Sequence, residues 1–506
     1  MLRPPYSAIS RLRGDPRVAA LTDLFSLFAG RAGGILVTLF FIPQYNRLLG
    51  ADVFGSVAIV LSLQAFFLVS DLGLATLVSR DTAIARDDPE ALTAVVWMRR
   101  RAEVILFVLA GMVAVPATLL PLAGEAVGWS LASGVDAAII SVLVVALVAT
   151  NVAQLSLNAL GLYRVGASLS VAGAIARGGA TVLVLHDAPS LVAFLQVQLA
   201  MAVLHFLVAR WLLERRCRPL LRYEPLWRRD AIIALLRRCV PLTVYTLASA
   251  AAVNLDKSIV SAFISLETAG AYFLATTYAL VPVAILSGPL NSYFAPRVAH
   301  ARHAGDGDRE YCLALIFQLV LMCTVIAPSL SLAFQMHDWL QLWLHDKAQA
   351  ARIMEVAPIL LAGGALSATG YYPTTYLIAA GDNGYLARLS LVCGAGVIIA
   401  AVYFASRGDL IGVAWSYFAF YAGGFAGLWH RFGRTVGWRA LAGFLARAYA
   451  VPTAVIGIGY FIVRALVGDR GPGIAALLAP MVIATASGVL VSAVVFWHAR
   501  SRPTRV

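Results

Sequence analysis

The chain has 506 residues, of which 60% are hydrophobic and only 13% are charged. Globular domains contain roughly 45–50% apolar and about 25% charged residues, so this composition excludes a soluble protein and indicates a chain that crosses a membrane many times. The formal net charge of +13 would suggest nucleic-acid binding in a soluble protein, but in a membrane protein it has to be compared first with the topology.

Membrane spans are predicted where apolar runs of about 20 residues are bounded by charges, turns or polar clusters. The residues before position 18 contain no apolar core, so they do not form a cleavable signal peptide, and we expect the first span to serve as the insertion signal. About fourteen runs meet the criterion. The predicted spans are 22–44, 53–79, 103–122, 136–160, 165–185, 189–212, 240–265, 269–295, 311–333, 353–379, 385–405, 411–430, 446–467 and 474–497.

The distribution of cationic residues predicts the orientation. With the N-terminus in the cytoplasm, about 30 of the 39 Lys and Arg residues fall in inside segments and about six in outside loops. We therefore predict that both termini are cytoplasmic, and we attribute the net charge to topology rather than to nucleic-acid binding. The longest basic stretch, 214–239, separates six spans from eight. We interpret it as a cytoplasmic linker at anionic headgroups, with a regulatory or partner-binding role as the alternative.

The five cysteines do not indicate a metal site or a disulfide. None falls in a predicted outside loop, and no two have the spacing of metal ligands. We therefore predict neither a disulfide nor a bound metal, and the sequence suggests no other cofactor. The cysteines are Cys217, Cys239, Cys312, Cys323 and Cys393.

Residues 48–80 and 264–297 form an internal repeat. Each segment opens with a short polar turn and a glycine close to an aromatic residue (Gly55 and Gly270), crosses the membrane inward and ends at an arginine. Two bundles of six spans that repeat in the same direction are typical of alternating-access transporters, in which an axis along the membrane normal relates the bundles.

The repeat predicts an all-α integral membrane protein with two pseudo-symmetric lobes of six helices and two additional helices. We assign residues 1–212 to the N-terminal lobe, 213–239 to the basic linker and 240–445 to the C-terminal lobe. Residues 446–506 form two further spans and a short cytoplasmic tail.

Two stretches resemble a known family. RLLGADVFGSVAIVLSLQAFFLVSDLGLATLVSRD is similar to the first-hairpin signature of bacterial oligosaccharide flippases, the Wzx-type polysaccharide biosynthesis proteins of the MATE-like MOP superfamily. PLTVYTLASAAAVNLDKSIVSAFISLETAGAYFLATTYALVPVAIL is similar to their seventh and eighth spans, including an Asp late in span seven and a Gly-x-Tyr that opens span eight. These residues are Asp256, Gly270 and Tyr272 here.

The resemblance implies a fold and a function. The fold is a V-shaped pair of six-helix lobes around a central cavity in the bacterial inner membrane. The function is translocation of a polyprenyl-diphosphate-linked oligosaccharide from the cytoplasmic to the periplasmic leaflet, for assembly of O-antigen, exopolysaccharide or capsule. Membrane lipids, a polysaccharide polymerase and chain-length proteins are the implied partners.

Arg31 is a charge within the first predicted span, about 14 Å from its cytoplasmic end at 1.5 Å per residue. A charge in a span costs between about 2.5 and 17 kcal/mol. Asp71 lies at a matching depth in the antiparallel second span, so a structural pair between the two is one interpretation. A compatible one is that Arg31 faces the cavity and attracts a diphosphate, with Asp71 holding it in place.

Arg177 lies about 18 Å into span five, near the midplane, with no acidic residue in its own span. We expect it to line the cavity and meet an anion, since an unpaired midplane arginine is otherwise costly; burial against the carbonyls of a neighbouring helix is the alternative. Gly173, Gly178 and Gly179 would allow another helix or a ligand to come close.

Asp256 and Lys257 are adjacent charges late in span seven. Adjacent residues of an α-helix point about 100° apart, so we predict that these two side chains do not pair with each other. Lys257 is a third cationic candidate for the cavity. Asp256 is a candidate either for carrying H+ or Na+ or for holding an arginine elsewhere.

Span ten is interrupted by Gly370 and Pro373. An ordinary proline kink explains this pattern, and a hinge or broken helix used in switching is the alternative. Tyr371 and Tyr372 are candidates for stacking on sugar rings, or equally for packing and interfacial anchoring.

Other functions share parts of this pattern. A drug or metabolite exporter would have the same architecture, but cationic drugs favour an acidic cavity. Here the candidate cavity residues are three cationic and two acidic ones, and this slight cationic excess favours an anionic cargo. A lipid II flippase is a close variant of the oligosaccharide flippase. A membrane polymerase or ligase is disfavoured, because the longest outside segment, 334–352, is too short for a catalytic domain. We therefore predict a transporter rather than an enzyme.

Overall fold

The computed structural model describes residues 16–69, 78, 81–82, 89–119, 134–217, 229–303, 305–344, 346–467 and 474–501. Within these ranges the chain is almost entirely helical and contains no β-strand. In chain order the helices are α1 (Pro16–Val69), α2 (Pro89–Leu119), α3 (Gly134–Ala159), α4 (Tyr163–Asp187), α5 (Leu191–Cys217), α6 (Arg229–Asn254), α7 (Asp256–Phe263), α8 (Leu266–His303), α9 (Gly307–Phe334), α10 (Met336–Leu344), α11 (Lys347–Ala368), α12 (Tyr371–Ala379), α13 (Asn383–Ala405), α14 (Leu410–Val436), α15 (Trp438–Leu445), α16 (Val451–Val467) and α17 (Ile474–Ser501).

The predicted all-α membrane fold is confirmed. Eleven helical stretches within the described ranges are long and apolar enough to cross a membrane. One of them, Ala32–Leu68, contains the first predicted loop, where α1 turns at Gly50 with φ 76° and ψ 166°. Residues that carry a side chain rarely adopt this backbone conformation, which explains why position 50 is a glycine. The total of fourteen spans stays a prediction.

Two predicted spans are each divided into two helices. Span seven contains α6 and α7, which are separated at Leu255, and span ten contains α11 and α12, which are separated at Thr369 and Gly370. Gly370 and Pro373 predict the second interruption. Leu255 has neither glycine nor proline beside it, so the sequence contains no helix-breaking residue that would predict the interruption of span seven.

Helices before residue 218 pack in neighbouring pairs. The first half of α1 lies against α4, and α3 lies between α2 and α5. Close approach depends on small residues: a Cβ added to Gly30 would lie 2.7 Å from Ala167 Cα, and one on Gly33 would lie 2.8 Å from Val171 Cγ2. Stripes of small residues are how membrane helices gain packing contacts in lipid.

Buried ion pairs join α2 to α5. Glu103, whose side chain is 3% exposed, accepts from Arg99 NH1 at 2.9 Å and from Arg210 NH1 at 3.2 Å. Glu214 accepts from Arg210 Nε at 3.1 Å. Part of the basic charge predicted on the inner side is therefore used to tie two helices together.

After residue 228, α8 packs against α9 and α11, and α14 packs against α11 and α13. The last two helices, α16 and α17, pack against each other and against α9. Polar contacts fix them there: the Tyr460 hydroxyl donates to Gln335 Oε1 at 3.1 Å, and Cys323 Sγ lies 3.2 Å from Ser492 Oγ. Cys312, Cys323 and Cys393 are free thiols.

The two predicted lobes meet where the second half of α1 crosses the start of α8. A Cβ on Gly55 would lie 2.1 Å from Leu266 O, and one on Gly270 would lie 3.3 Å from Gly55 Cα. The equivalent glycines of the sequence repeat are therefore in contact across the boundary between the lobes. The predicted topology places this contact on the outer side of the membrane.

Candidate functional site

The Arg31 backbone belongs to α1. The Arg31 side chain and all of Asp71 lie outside the described residues. The predicted pair between them therefore stays a prediction.

Arg177 lies on α4 and is partly buried between α1 and α5. Tyr45 of α1 and His205 of α5 are close enough for its charge to act on both. Among the side chains that the structure describes, no carboxylate forms an ion pair with Arg177.

His205 was not identified from the sequence. Its Nε2 lies 3.2 Å from Gln154 Nε2 of α3, and its ring occupies the space that Gly173 leaves open, because a Cβ on Gly173 would lie 2.4 Å from His205 Cε1. The predicted glycine gap is thus filled by an imidazole. The glycine was the available signal, but it does not show which side chain enters the gap.

We call Tyr45, Gln154, Arg177 and His205 the N-lobe polar group. They come from α1, α3, α4 and α5, four helices that pack against one another. Thr181 extends it along α4: its hydroxyl donates to Arg177 O at 2.7 Å and accepts from Gln198 Nε2 at 3.1 Å. Hydroxyl, amide, imidazole and guanidinium groups together can bind an anionic or polar ligand.

The prediction that Asp256 and Lys257 do not pair is wrong. Lys257 Nζ lies 2.7 Å from Asp256 Oδ1, and both side chains are 5% exposed. Both residues lie in the first turn of α7, where Asp256 Oδ1 also accepts from Lys257 N, and the long Lys257 side chain bends back towards Val253 O, so the 100° separation of their Cα–Cβ bonds does not keep the charged ends apart. The pair is neutral as a unit, so it adds no net positive charge to the candidate site.

Three tyrosines surround the Asp256 carboxylate. Tyr272 of α8 is completely buried beside it. On α14, the Tyr417 and Tyr421 hydroxyls are 2.9 Å apart, and both are close enough to interact with Asp256 electrostatically. Asp256 Oδ2 and the Tyr272 hydroxyl are both buried, and the hydroxyl is close enough to the carboxylate to interact with it.

The tyrosines of the interrupted span ten are packed inside the protein. Tyr372 is 3% exposed, and its ring centroid lies 5.5 Å from those of Phe432 and Phe444. Tyr371 is partly buried, and Pro373 lies in the first turn of α12, where a residue without an N–H is tolerated. Stacking of a sugar on Tyr372 therefore requires this aromatic cluster to open.

A group of interlobe hydrogen bonds was also missed from the sequence. We call it the outer interlobe contact. Asn46 Nδ2 donates to Gln349 Oε1 at 2.8 Å, and Arg47 NH2 donates to Leu344 O at 3.1 Å. These bonds attach the end of the first span that is predicted to lie outside to the connection between α9 and α11, in the segment 334–352.

The third bond of the outer interlobe contact depends on a proline. Trp343 Nε1 donates to Leu39 O at 3.0 Å. In a regular helix Leu39 O would accept from the N–H of residue 43, but Pro43 has none. The proline thus leaves a free carbonyl on α1, and the indole of α10 satisfies it.

The chain was compared with known families. The family described as "Polysaccharide biosynthesis protein" matches residues 46–340. No curated protein matches this sequence.

Several solved structures share the fold. The chain is similar to the "Lipid II flippase MurJ, inward closed conformation", with a TM-score of 0.64, 11% identity, and coverage of 96% of this chain and 100% of that one. It is also similar to a multidrug resistance MATE family transporter of the MOP superfamily in an outward-facing conformation, with a TM-score of 0.60, 13% identity and coverage of 86% and 97%. A MOP superfamily transporter from Pyrococcus furiosus gives a TM-score of 0.58, 14% identity and coverage of 86% and 97%.

Proposed function

Because the chain belongs to the polysaccharide biosynthesis protein family, whose model matches residues 46–340, we propose that it flips polyprenyl-diphosphate-linked oligosaccharides from the cytoplasmic to the periplasmic leaflet of the bacterial inner membrane. The product supplies assembly of a surface polysaccharide, which is O-antigen, exopolysaccharide or capsule. A polymerase and chain-length proteins act on it next. The protein is a transporter and not an enzyme.

Arg177 carries the proposal. Its charge lies in the N-lobe polar group without an ion-pair partner among the described side chains. A charge in this position is expensive unless water or an anion meets it. A guanidinium binds a diphosphate with two parallel hydrogen bonds, while Tyr45 and Gln154 supply further hydrogen-bonding groups. The arrangement therefore suits an anionic lipid headgroup better than a cationic drug.

Arg31 and Lys257 are the other proposed cationic residues. We propose that Arg31 contacts the diphosphate at the inner side and that Asp71 steadies it. Lys257 is held by Asp256 in a neutral pair, so it does not provide a free anion site. The neutral pair supports a positioning role for Asp256 in preference to carrying H+ or Na+.

We propose that transport proceeds by alternating access of the two lobes. The outer interlobe contact closes one side of the boundary between them, which supports entry of the cargo from the cytoplasmic side. Release of the contact would open the outer side. The interruption at Thr369 and Gly370 is a candidate hinge, since residues between helices absorb backbone rotation readily.

Lipid II flipping is the second candidate. The similar lipid II flippase structure covers 96% of this chain, whereas the MATE transporter covers 86%. Lipid II also carries a polyprenyl diphosphate, so the argument from Arg177 applies to it equally. The multidrug exporter function is less well supported, because the described part of the N-lobe polar group contains a cation and no carboxylate.

A deletion in the native host tests the proposal. Lipid-linked oligosaccharides are extracted from the inner membrane, and surface polysaccharide is stained. We expect viable cells that lack the surface polymer and accumulate complete lipid-linked repeat units. Inviable cells that accumulate lipid II would support the cell-wall function. Normal polymer with increased sensitivity to cationic drugs would overturn the proposal in favour of an exporter.

A further inference from the structure

The interruption at Leu255 separates two backbone groups that a continuous helix would join. In a regular α-helix, Lys257 N would donate to Val253 O. Here Lys257 N donates to Asp256 Oδ1 at 3.0 Å, and Val253 O accepts from Lys257 Nζ at 2.9 Å. The two side chains therefore satisfy both ends of the opened backbone hydrogen bond.

The Lys257 ammonium occupies a set of oxygen ligands. It lies 2.7 Å from Asp256 Oδ1 and 2.9 Å from Val253 O. Asp256 Oδ2 and the Tyr272 hydroxyl are two further buried oxygens beside this pair. Backbone carbonyls at interrupted helices and intramembrane carboxylates are the groups with which transporters bind Na+ or H+.

We infer that Lys257 Nζ is a resident cation that fills a monovalent-cation site at the interruption between α6 and α7, so that this site binds no free Na+. The ammonium is covalently attached and cannot be released to either side of the membrane. The site therefore cannot exchange an ion during transport. The cation site is inferred from its geometry alone. The statement that it exchanges no ion during transport rests on the proposed function.

Removal of the ammonium should uncover the site. Lys257→Ala leaves the Asp256 carboxylate, Val253 O and the Tyr272 hydroxyl in a buried position where a carboxylate needs a counter-ion. A small hard cation prefers such oxygen ligands. We therefore expect the variant to acquire a Na+ site that the natural chain lacks.

Binding of radiolabelled Na+ to the purified full-length protein in detergent tests the inference, without any cargo. Wild type and Asp256→Asn are expected to bind the same background amount. Lys257→Ala is expected to bind stoichiometric additional Na+ and to show a saturable rise in Tm in NaCl over choline chloride. The double variant Asp256→Asn/Lys257→Ala should lose both effects, and Lys257→Gln is a second single variant if Lys257→Ala does not fold.

Two results would overturn the inference. One is Na+ binding by the wild type that Asp256→Asn removes, because the carboxylate would then hold a free ion beside Lys257. The other is a folded Lys257 variant that binds no additional Na+. Na+ binding by the wild type that Asp256→Asn removes would overturn the inference even if neither Lys257 variant folds. None of these results bears on which cargo is flipped.

Discussion

Gly55 and Gly270 lie against each other across the boundary between the two lobes. A Cβ on Gly270 would be 3.3 Å from Gly55 Cα. The same two glycines occupy equivalent positions in the sequence repeat. Residues related by a two-fold axis contact each other only near that axis, so the contact is what a parallel repeat with an axis along the membrane normal predicts.

Gly55→Ala is expected to prevent closure of the outer side. Its Cβ would lie 2.1 Å from the backbone oxygen of Leu266, which cannot move aside as a flexible side chain could. A cysteine at Ala271, which is 8% exposed, reports closure through its labelling by a membrane-impermeant maleimide. Labelling should rise in Gly55→Ala. Gly270→Ala is the matched control, because the atoms around its Cβ need to move by only a few tenths of an ångström. Equal labelling of the two variants would contradict the prediction.

Trp343→Phe is expected to weaken the outer interlobe contact while keeping an aromatic ring. The variant loses the hydrogen bond to Leu39 O. One such bond contributes about 0.5–1.5 kcal/mol, so labelling at Ala271→Cys should increase roughly two- to tenfold. Trp339→Phe is the control, because Trp339 Nε1 donates to Ser331 Oγ within its own lobe. A larger effect from Trp339→Phe would show that the indole bond to α1 does not control opening.

Arg177→Gln is expected to abolish export of surface polysaccharide by the deletion strain without reducing the amount of protein in the membrane. Loss of a charge-assisted contact of about 1.5–3 kcal/mol lowers affinity roughly ten- to hundredfold. Arg177→Lys should retain part of the activity, since a lysine keeps the charge but not the paired hydrogen bonds. Arg407→Gln, which removes a cation stacked on Tyr403, is the control. Normal export by Arg177→Gln would overturn the role of Arg177.

Sequence reasoning predicted features that depend on local composition. The all-α membrane fold follows from apolar runs, and Gly370 with Pro373 marks the interruption of span ten. The interruption at Leu255 was missed because neither glycine nor proline marks it, and the side chains of the adjacent pair Asp256 and Lys257 take the place of the lost backbone bond. A rule based on the 100° separation of adjacent helical residues ignores the length of the lysine side chain, which lets its ammonium bend back to the neighbouring carboxylate.

Features that depend on distant contacts could not be predicted. The gap at Gly173 was visible, but His205, which fills it, lies on another helix. Pro43 has no N–H to donate to Leu39 O, and the donor that replaces it, Trp343 Nε1, is 304 positions away in the chain. In both cases a residue of the sequence leaves a gap or a free carbonyl, and only the tertiary structure shows which side chain fills or binds it.

Glu103→Gln is expected to lower the stability of the protein substantially. The carboxylate is 3% exposed and lies between Arg99 and Arg210, and removing one charge from a buried network costs about 3–5 kcal/mol. The Tm in detergent measures the effect. Glu267→Gln removes the exposed pair with Arg352 and should leave the Tm nearly unchanged. Equal Tm values for the two variants would show that the network does not stabilise the fold.

Two neighbouring glycines of α4 should respond oppositely to substitution by alanine. A Cβ on Gly178 would lie 2.1 Å from the Phe41 ring of α1, whereas one on Gly179 meets no atom within 4 Å. Both substitutions gain about 0.5–1 kcal/mol of helix propensity, but overpacking at Gly178 costs about 1–3 kcal/mol. The Tm should therefore fall in Gly178→Ala and stay equal or rise in Gly179→Ala. Phe41 precedes Tyr45 by one helical turn, so Gly178→Ala should also disturb the N-lobe polar group and reduce polysaccharide export. If the Tm falls but export is unchanged, the contact between Gly178 and Phe41 stabilises the fold without affecting that group.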